Sequence, residues 1–256
     1  MRVLSVSSQV VWGPVGNSVA VPALQAAGHE VLGLPTITLS NHPGHGPPAG
    51  FRTSPEDMAR MLAALEALGA LHDLDAVLTG YFATTGQVEE VAKLMDRAAI
   101  PFVVVDPVMG DHGRLYVPQE VADAIRAELL PRATCLTPNC FELGLLSGHA
   151  VTGIDSAIVA ARSLGIDEVL ATSIPVDDAR IATVLVTRDD ADSFVTPRLA
   201  QVPHGTGDFL SGLYLAARLA APPRAALAAA MAVLARAIAL SAGRAVLDVA
   251  GALHQR

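Results

Sequence analysis

Short apolar runs alternate with helix-like stretches along most of this 256-residue chain, and that alternation constrains its fold more than any other feature. Residues 2–6, 75–78, 101–105, 133–136 and 168–171 read as strands, several of them uniformly apolar, and residues 30–39 as extended. Residues 17–27, 87–97, 118–130, 139–146 and 156–164 read as helices. Ser54-Pro55-Glu56-Asp57 carries the residues that start a helix, and Met58, Met61, Leu62, Leu65 and Leu68 follow at helical spacing. Residues 181–187 and 192–195 read as an antiparallel pair, and the chain from Thr206 as mostly helix. Strands that are apolar throughout must be covered on both faces. The pattern therefore predicts an α/β protein, a three-layer α/β/α sandwich around a mostly parallel sheet. No linker, repeat or low-complexity tract interrupts it, so residues 1–256 are expected to form a single domain.

Composition removes several classes of function. The formal charge is −8 with no basic block, which argues against nucleic acid and anionic membranes as main partners. Lys93 is the only lysine, so the chain has no G-x-x-x-x-G-K-[ST] phosphate loop. A Schiff base could form only at Lys93, which sits in a polar helical stretch. Cys135 and Cys140 are the only cysteines, too few for a four-thiolate zinc site or a disulfide framework, and a reduced, cytoplasmic setting fits. The opening M-R-V-L-S-V-S-S-Q reads as a first strand and not as a signal peptide. Residues 225–235, between Arg224 and Arg236, are apolar but too short to span a membrane, and read as a buried alanine-rich helix.

Three motifs carry candidate chemistry. In H-G-T-G-D-F-L-S-G, residues 204–212, two glycines flank a threonine just ahead of a long apolar helix. Glycines allow a turn whose N–H groups converge, and a helix N-terminus adds free donors, so Gly205, Thr206 and Gly207 could cradle a phosphate. Asp208, in the first helical turn, could take the proton of an attacking hydroxyl. Alone, the motif also fits an ordinary glycine turn with an aspartate after it. In V-V-V-D-P-V-M-G-D, Asp106 ends a strand, and in T-P-N-C-F-E, Glu142 lies one turn into a helix. Carboxylates at neighbouring strand ends can organise magnesium on phosphates, although each also fits a structural role as turn former or helix-start charge.

Taken together, G-T-G-D with D-P-V-M-G and T-P-N-x-x-E upstream resembles the ribokinase-like superfamily. V-G-N-S, S-N-H and T-G-Y are similar to its pyridoxal kinase branch, in one register over nearly the whole chain. The resemblance implies a ribokinase-like fold and ATP-dependent phosphorylation of the 5′-hydroxymethyl group of pyridoxal. It implies Asp208 as the base and the Gly205–Gly207 backbone as the γ-phosphate cradle. Asp106 and Glu142 would organise Mg2+ and the nucleotide phosphates, with Asn139 beside them and room for a monovalent cation such as K+. Thr137, Thr172 and Ser173 would line the nucleotide path, and Arg198 and Leu199 fall where the family contacts nucleotide with a lid. Ser8, Val15, His42, Pro43 and Tyr81 would surround the substrate ring. A homodimer is implied as well.

The sequence departs from that pattern at a few places. Gln9 stands where the family usually has histidine, and Pro43 and His45 where it has threonine and then an aromatic residue. Proline offers neither hydroxyl nor N–H, so recognition of the ring substituents is expected to differ. The segment before G-T-G-D also looks short, so closure over the nucleotide is expected to differ. His42 and His45 show no third metal ligand in the sequence; His42 reads as a substrate contact and His204 as a phosphate contact or an exposed loop residue. Trp12 reads as packed or at an interface, rather than stacked on substrate. The rival readings are a hydroxymethylpyrimidine kinase of the same superfamily and a non-catalytic B6- or nucleotide-binding homologue. A nicotinamide-dependent enzyme is disfavoured, because no G-x-G-x-x-G follows the first strand.

Overall fold

Successive side chains of a strand go to opposite faces, and here both faces are apolar. The computed structural model describes residues 1–254. In chain order its elements are β1 (Arg2–Trp12), α1 (Asn17–Ala26), β2 (Glu30–Asn41), β3 (Gly50–Arg52), α2 (Pro55–Ala67), β4 (Ala76–Thr79), α3 (Thr85–Arg97) and β5 (Phe102–Val105). There follow β6 (Gly110–Asp111), β7 (Arg114–Leu115), α4 (Gln119–Ala124), β8 (Cys135–Leu136), α5 (Cys140–Ser147) and α6 (Ile154–Ser163). The rest is β9 (Glu168–Pro175), β10 (Arg180–Thr187), β11 (Ala191–Pro197), α7 (Thr206–Arg218), α8 (Pro223–Leu240) and α9 (Val249–Leu253).

Nine strands form one sheet in the order β11-β10-β9-β8-β5-β4-β1-β2-β3. The six strands from β9 to β2 run parallel; β3 at one edge and β10 near the other run against them, and β11 pairs antiparallel with β10. Each central strand feeds two cores. Leu4, Val77, Val103, Val105, Leu136 and Val169 join the core under α2 to α6. Val3, Leu78, Val104, Cys135 and Leu170 join the core under α1, α7, α8 and α9. This two-sided demand is why the strands read as continuous apolar runs. Ser54 caps α2 as the sequence suggested, its Oγ accepting the N–H of Asp57 at 3.0 Å, with Pro55 as the first helical residue.

Several boundaries differ from the sequence reading. β1 runs on to Trp12, because a bulge between Ser7 and Gln9 lets the strand keep pairing with β2 through a shift in register. The helix expected at 118–130 is α4 followed by a π turn, Ile125–Leu129, and a 3₁₀ turn at Pro131. The two-residue strands β6 and β7 form a hairpin that the sequence pattern did not reveal. The alanine-rich helix α8 is buried along only one face, through Ala226, Leu227, Ala230, Leu234 and Ala237. This corrects the expectation of a buried helix: alanine stabilises an exposed helical face by propensity alone. By length and composition α8 could also cross a membrane, and 28% of it is buried here.

Candidate active site

In the parallel sheet, the chain leaves β1 towards β2 on one side and comes back to β4 on the other, so the strand order reverses between β1 and β4. Ligands of open α/β sheets bind beyond the strand ends at such a point. A cavity of about 10 Å³ lies there, lined by Ser5, Ser7, Thr79, Gly80, Asp106, Asp208 and Ser211, with Gly16, Ala20 and Leu78. Ser5 and Ser7 come from β1, where period-two alternation puts them on one face. Gly80, just past β4, is there because a side chain would not fit: a Cβ would lie 2.4 Å from Ser7 Oγ.

Asp208 arrives from the other end of the chain, on the first turn of α7. Gly205 caps that helix at φ 90°, a left-handed conformation that suits glycine, and a Cβ there would meet the Pro14 carbonyl at 2.4 Å. Thr206 and Gly207 open the helix, and Gly207 is exposed. Burial raises Asp208 to about 6, against the N–H of Gly16 and its own N–H, which favour the ion. Asp106 is held well above the usual carboxylate range by burial, then by the charges of Asp208 and Glu142. The Ser211 hydroxyl donates to Asp106 Oδ2 at 2.9 Å and lies 2.9 Å from the Thr137 hydroxyl.

Glu142 is raised to about 7 by burial. Its Oε1 accepts the N–H groups of Met109 (2.9 Å) and Gly110 (3.3 Å), and its Oε2 accepts that of Asn139 (2.9 Å). Asn139 Oδ1 accepts the Glu142 N–H in return, which completes a capping box on α5, and Asn139 Nδ2 donates to the Gly110 carbonyl at 2.8 Å. Thus P-N-x-x-E grips the M-G turn of D-P-V-M-G, and the two motifs form one clamp. Among the described residues no basic side chain lines the cavity, and Lys93 is exposed on α3, 2.6 Å from Glu90. Carboxylates gathered without a cationic side chain are the donor chemistry that suits a divalent cation on phosphates.

The other residues singled out in the sequence divide into three groups. Thr137 is buried and tied to Ser211, so its hydroxyl braces Asp106. Thr172 is half-buried and Ser173 exposed, at the shift in register between β9 and β10, where Ser173 has φ 57°. Arg198 and Leu199 are exposed beyond β11, the Arg198 N–H bonded to the Ala179 carbonyl at 2.7 Å. On the opposite side, Val15 lies against Gly205, Ser8 packs on Gly16, and the Tyr81 N–H donates to Ser7 Oγ at 3.1 Å. His42 is followed by a short 3₁₀ turn, Pro43–His45, and its ring stacks on His204 at 4.0 Å. Gln9 bonds Ser18 Oγ at 3.1 Å and lines a separate groove, away from Asp208. Trp12 is exposed, against the expectation of packing, with its ring 4.5 Å from that of His45.

Sequence reasoning missed Ser7, Thr79 and Ser211. Ser211 was visible as the residue three past Asp208, one helical turn on and on the same face. Ser7 could have been found by alternation from Ser5.

A glycine turn at the head of a helix, an aspartate within it and braced carboxylates at the strand ends have the chemistry that phosphoryl transfer needs. The chain matches the phosphomethylpyrimidine kinase family over residues 31–250, which places it among the ribokinase-like α/β kinases. Its relatives narrow this further. A pyridoxine/pyridoxal/pyridoxamine kinase of Bordetella avium is 41% identical over 218 residues, 80% of this chain and 73% of its own length. A pyridoxal kinase of Leifsonia xyli is 36% identical over 84% of this chain and 80% of its own. Pyridoxal kinase from Leishmania donovani, solved with ADP and pyridoxine, superposes with a TM-score of 0.92 at 32% identity, over 98% of this chain and 93% of that one. This chain belongs to the pyridoxal kinase family.

Proposed function

We propose that this chain, acting as a single domain, transfers the γ-phosphoryl group of ATP to the 5′-hydroxymethyl group of pyridoxal. The observation that carries the reading is Asp208, a carboxylate at the head of α7 that faces the switch-point cavity beneath the Gly205 turn. It accepts the hydroxyl proton as the new P–O bond forms. The N–H groups of Gly205, Thr206 and Gly207 stabilise the transferring phosphoryl oxygens, together with the helix dipole. Asp106 would hold a divalent cation such as Mg2+, which would neutralise the charge of the nucleotide phosphates, and the Glu142–Asn139 clamp sets the loop that carries Asp106. A K+ ion is a further candidate.

Ser8, Val15, His42, Pro43 and Tyr81 form the side that receives the pyridine ring. Thr172, Ser173, Arg198 and Leu199 stand on the nucleotide side. We assign the chain to the cytoplasm and to a homodimer. The exposed side chains of Val11 (80%), Trp12 (53%) and Phe51 (66%), at one end of the sheet, support an interface there.

ATP consumption with magnesium, run in parallel against pyridoxal, pyridoxine and hydroxymethylpyrimidine, tests the reading. Turnover of pyridoxal that is lost in Asp208→Asn supports it. Turnover of the pyrimidine alone would keep the mechanism and move the substrate, a second reading favoured by the family match over residues 31–250. Binding without turnover would make the chain a non-catalytic homologue.

A further inference from the structure

Three loops meet here: the turn after β1, the loop after β2 and the glycine turn before α7. Imidazoles stand where the loop after β2 meets each of the other two. His45 lies over Gly13, where a Cβ would come within 2.6 Å of its ring. His204 lies over Gly44, where a Cβ would come within 2.5 Å of its Nε2. Each glycine thus leaves space that an imidazole fills. The His42 and His204 rings stack at 4.0 Å and 29°, and His45 stands edge-on to both, at 6.1 and 6.2 Å.

The hydrogen bonding marks the His42 ring as neutral. His42 Nδ1 accepts the Gly44 N–H at 3.1 Å, so that nitrogen carries no proton. His45 Nε2 is buried with no hydrogen-bond partner. Stacked rings offer faces rather than converging lone pairs. Among the described residues, no group of three His, Cys, Asp or Glu side chains is arranged to hold a metal ion.

We propose that His45 and His204 are positioning residues: their packed rings latch the substrate loop that carries His42 onto the phosphate-binding turn, and protonation of the stacked His42–His204 pair opens the latch. The proposal rests on the reading of this site as a kinase site for a B6 alcohol. A substrate alcohol must touch the loop and reach Asp208 at once, so the gap between loop and turn sets its affinity.

The titratable groups that act on His42 are His204 and His45, and on His204 it is His45; Trp12 and Gly13, packed on His45, carry no charge. Burial and then these neighbours hold His42 down at about 4, and His204 is likewise lowered. An imidazole with a depressed pKa takes up its proton more readily once the latch is open. Closure is therefore fully favoured above the free value of 6.5 and is lost as pH falls towards 4.

The test uses His204→Ala, which removes the ring, and His204→Phe, which keeps a flat ring that cannot charge. At pH 8, His204→Ala is expected to raise the KM for pyridoxal about ten-fold, the worth of one aromatic pair, and to leave the KM for ATP unchanged. His204→Phe is expected to restore the pyridoxal KM and to blunt its rise in acid. Equal behaviour of the two variants, or a wild-type KM in His204→Ala, would overturn the latch. Trp12, the only tryptophan, reports independently of turnover, because its ring lies 4.5 Å from that of His45. Its emission should change in acid in the wild type, and show that change already at pH 8 in His204→Ala. Such a change in a protein that does not turn over pyridoxal would uphold the latch and reject the substrate. Unchanged emission in an active His204→Ala would do the reverse.

Discussion

Asp106 and Asp208 line the same cavity of about 10 Å³, and the charge on Asp208 helps hold Asp106 well above its usual range. The pair is built so that one carboxylate carries charge at the other's expense. Asp208→Asn removes that repulsion together with the base. It is expected to fold and bind ATP, and to lose about 10²–10⁴ in kcat. Steady-state kinetics beside a thermal melt check this; turnover close to normal would remove Asp208 from the mechanism.

The acidity of Asp208 sets a pH dependence. Burial raises it to about 6, so the base is ionised above that pH and protonated below it. The kcat for pyridoxal at saturating ATP should fall as pH drops through about 6, approaching ten-fold per unit. A flat profile from pH 7.5 to 5 would show that no proton is taken at this carboxylate in the rate-limiting step.

Glu142 ties stability to pH in the opposite sense. Its folded value, about 7, lies above its ordinary 4.5, so its contribution is fully present below 4.5 and is lost as pH rises through 7. The loss is about 3 kcal/mol over that window. Glu142→Gln should flatten the dependence. It keeps one acceptor oxygen for the backbone N–H groups of Met109, Gly110 and Asn139, so its overall stability should be lower by about 1–3 kcal/mol. Urea midpoints at pH 5 and 7.5 would reveal both effects.

Ser211→Ala takes the donor from Asp106 Oδ2 and the partner from Thr137. The expected cost is about 1–2 kcal/mol in stability. Asp106 would also be pushed further towards its neutral form, so the KM for magnesium–ATP should rise while that for pyridoxal holds. Equal changes in both constants would assign Ser211 a purely structural role.

Far from the cavity, Glu168 is buried against Arg218 Nη2 at 2.6 Å and the Tyr214 hydroxyl at 2.7 Å. Arg218→Met would strand this carboxylate in an apolar layer. Because Arg218 is itself one-quarter exposed, the expected loss is at the lower end of the usual range, about 3 kcal/mol, with KM values unchanged. Chemical denaturation with parallel kinetics separates the two.

The parallel core was legible because Val103-Val104-Val105 and its neighbours are apolar on both faces, a local property of sequence. The end of β1 was not, because the bulge at Ser8 depends on its register with β2, which the residues of β1 do not reveal by themselves. The motif residues Asp106, Glu142 and Asp208 could be named in advance. That Glu142 spends its oxygens on the Met109–Gly110 turn could not, since it requires knowing which strands are neighbours. The stacking of His204 was hidden for the same reason: its partner, His42, comes from the other end of the chain, and no local pattern connects them.

Gly212 in α7 lies so close to α1 that a Cβ would stand 2.9 Å from the Ala20 Cα. That contact joins the first fifth of the chain to its last fifth and carries Asp208 to Ser7 and Gly16. The entropy of closing so long a loop must be met before this contact forms, so the site should be completed after most of the sheet has formed. A ribosome that has made five-sixths of this chain will have emitted most of an α/β sheet with no base in it. During refolding, the return of phosphoryl transfer should lag behind the return of secondary structure and report the docking of α7 on α1.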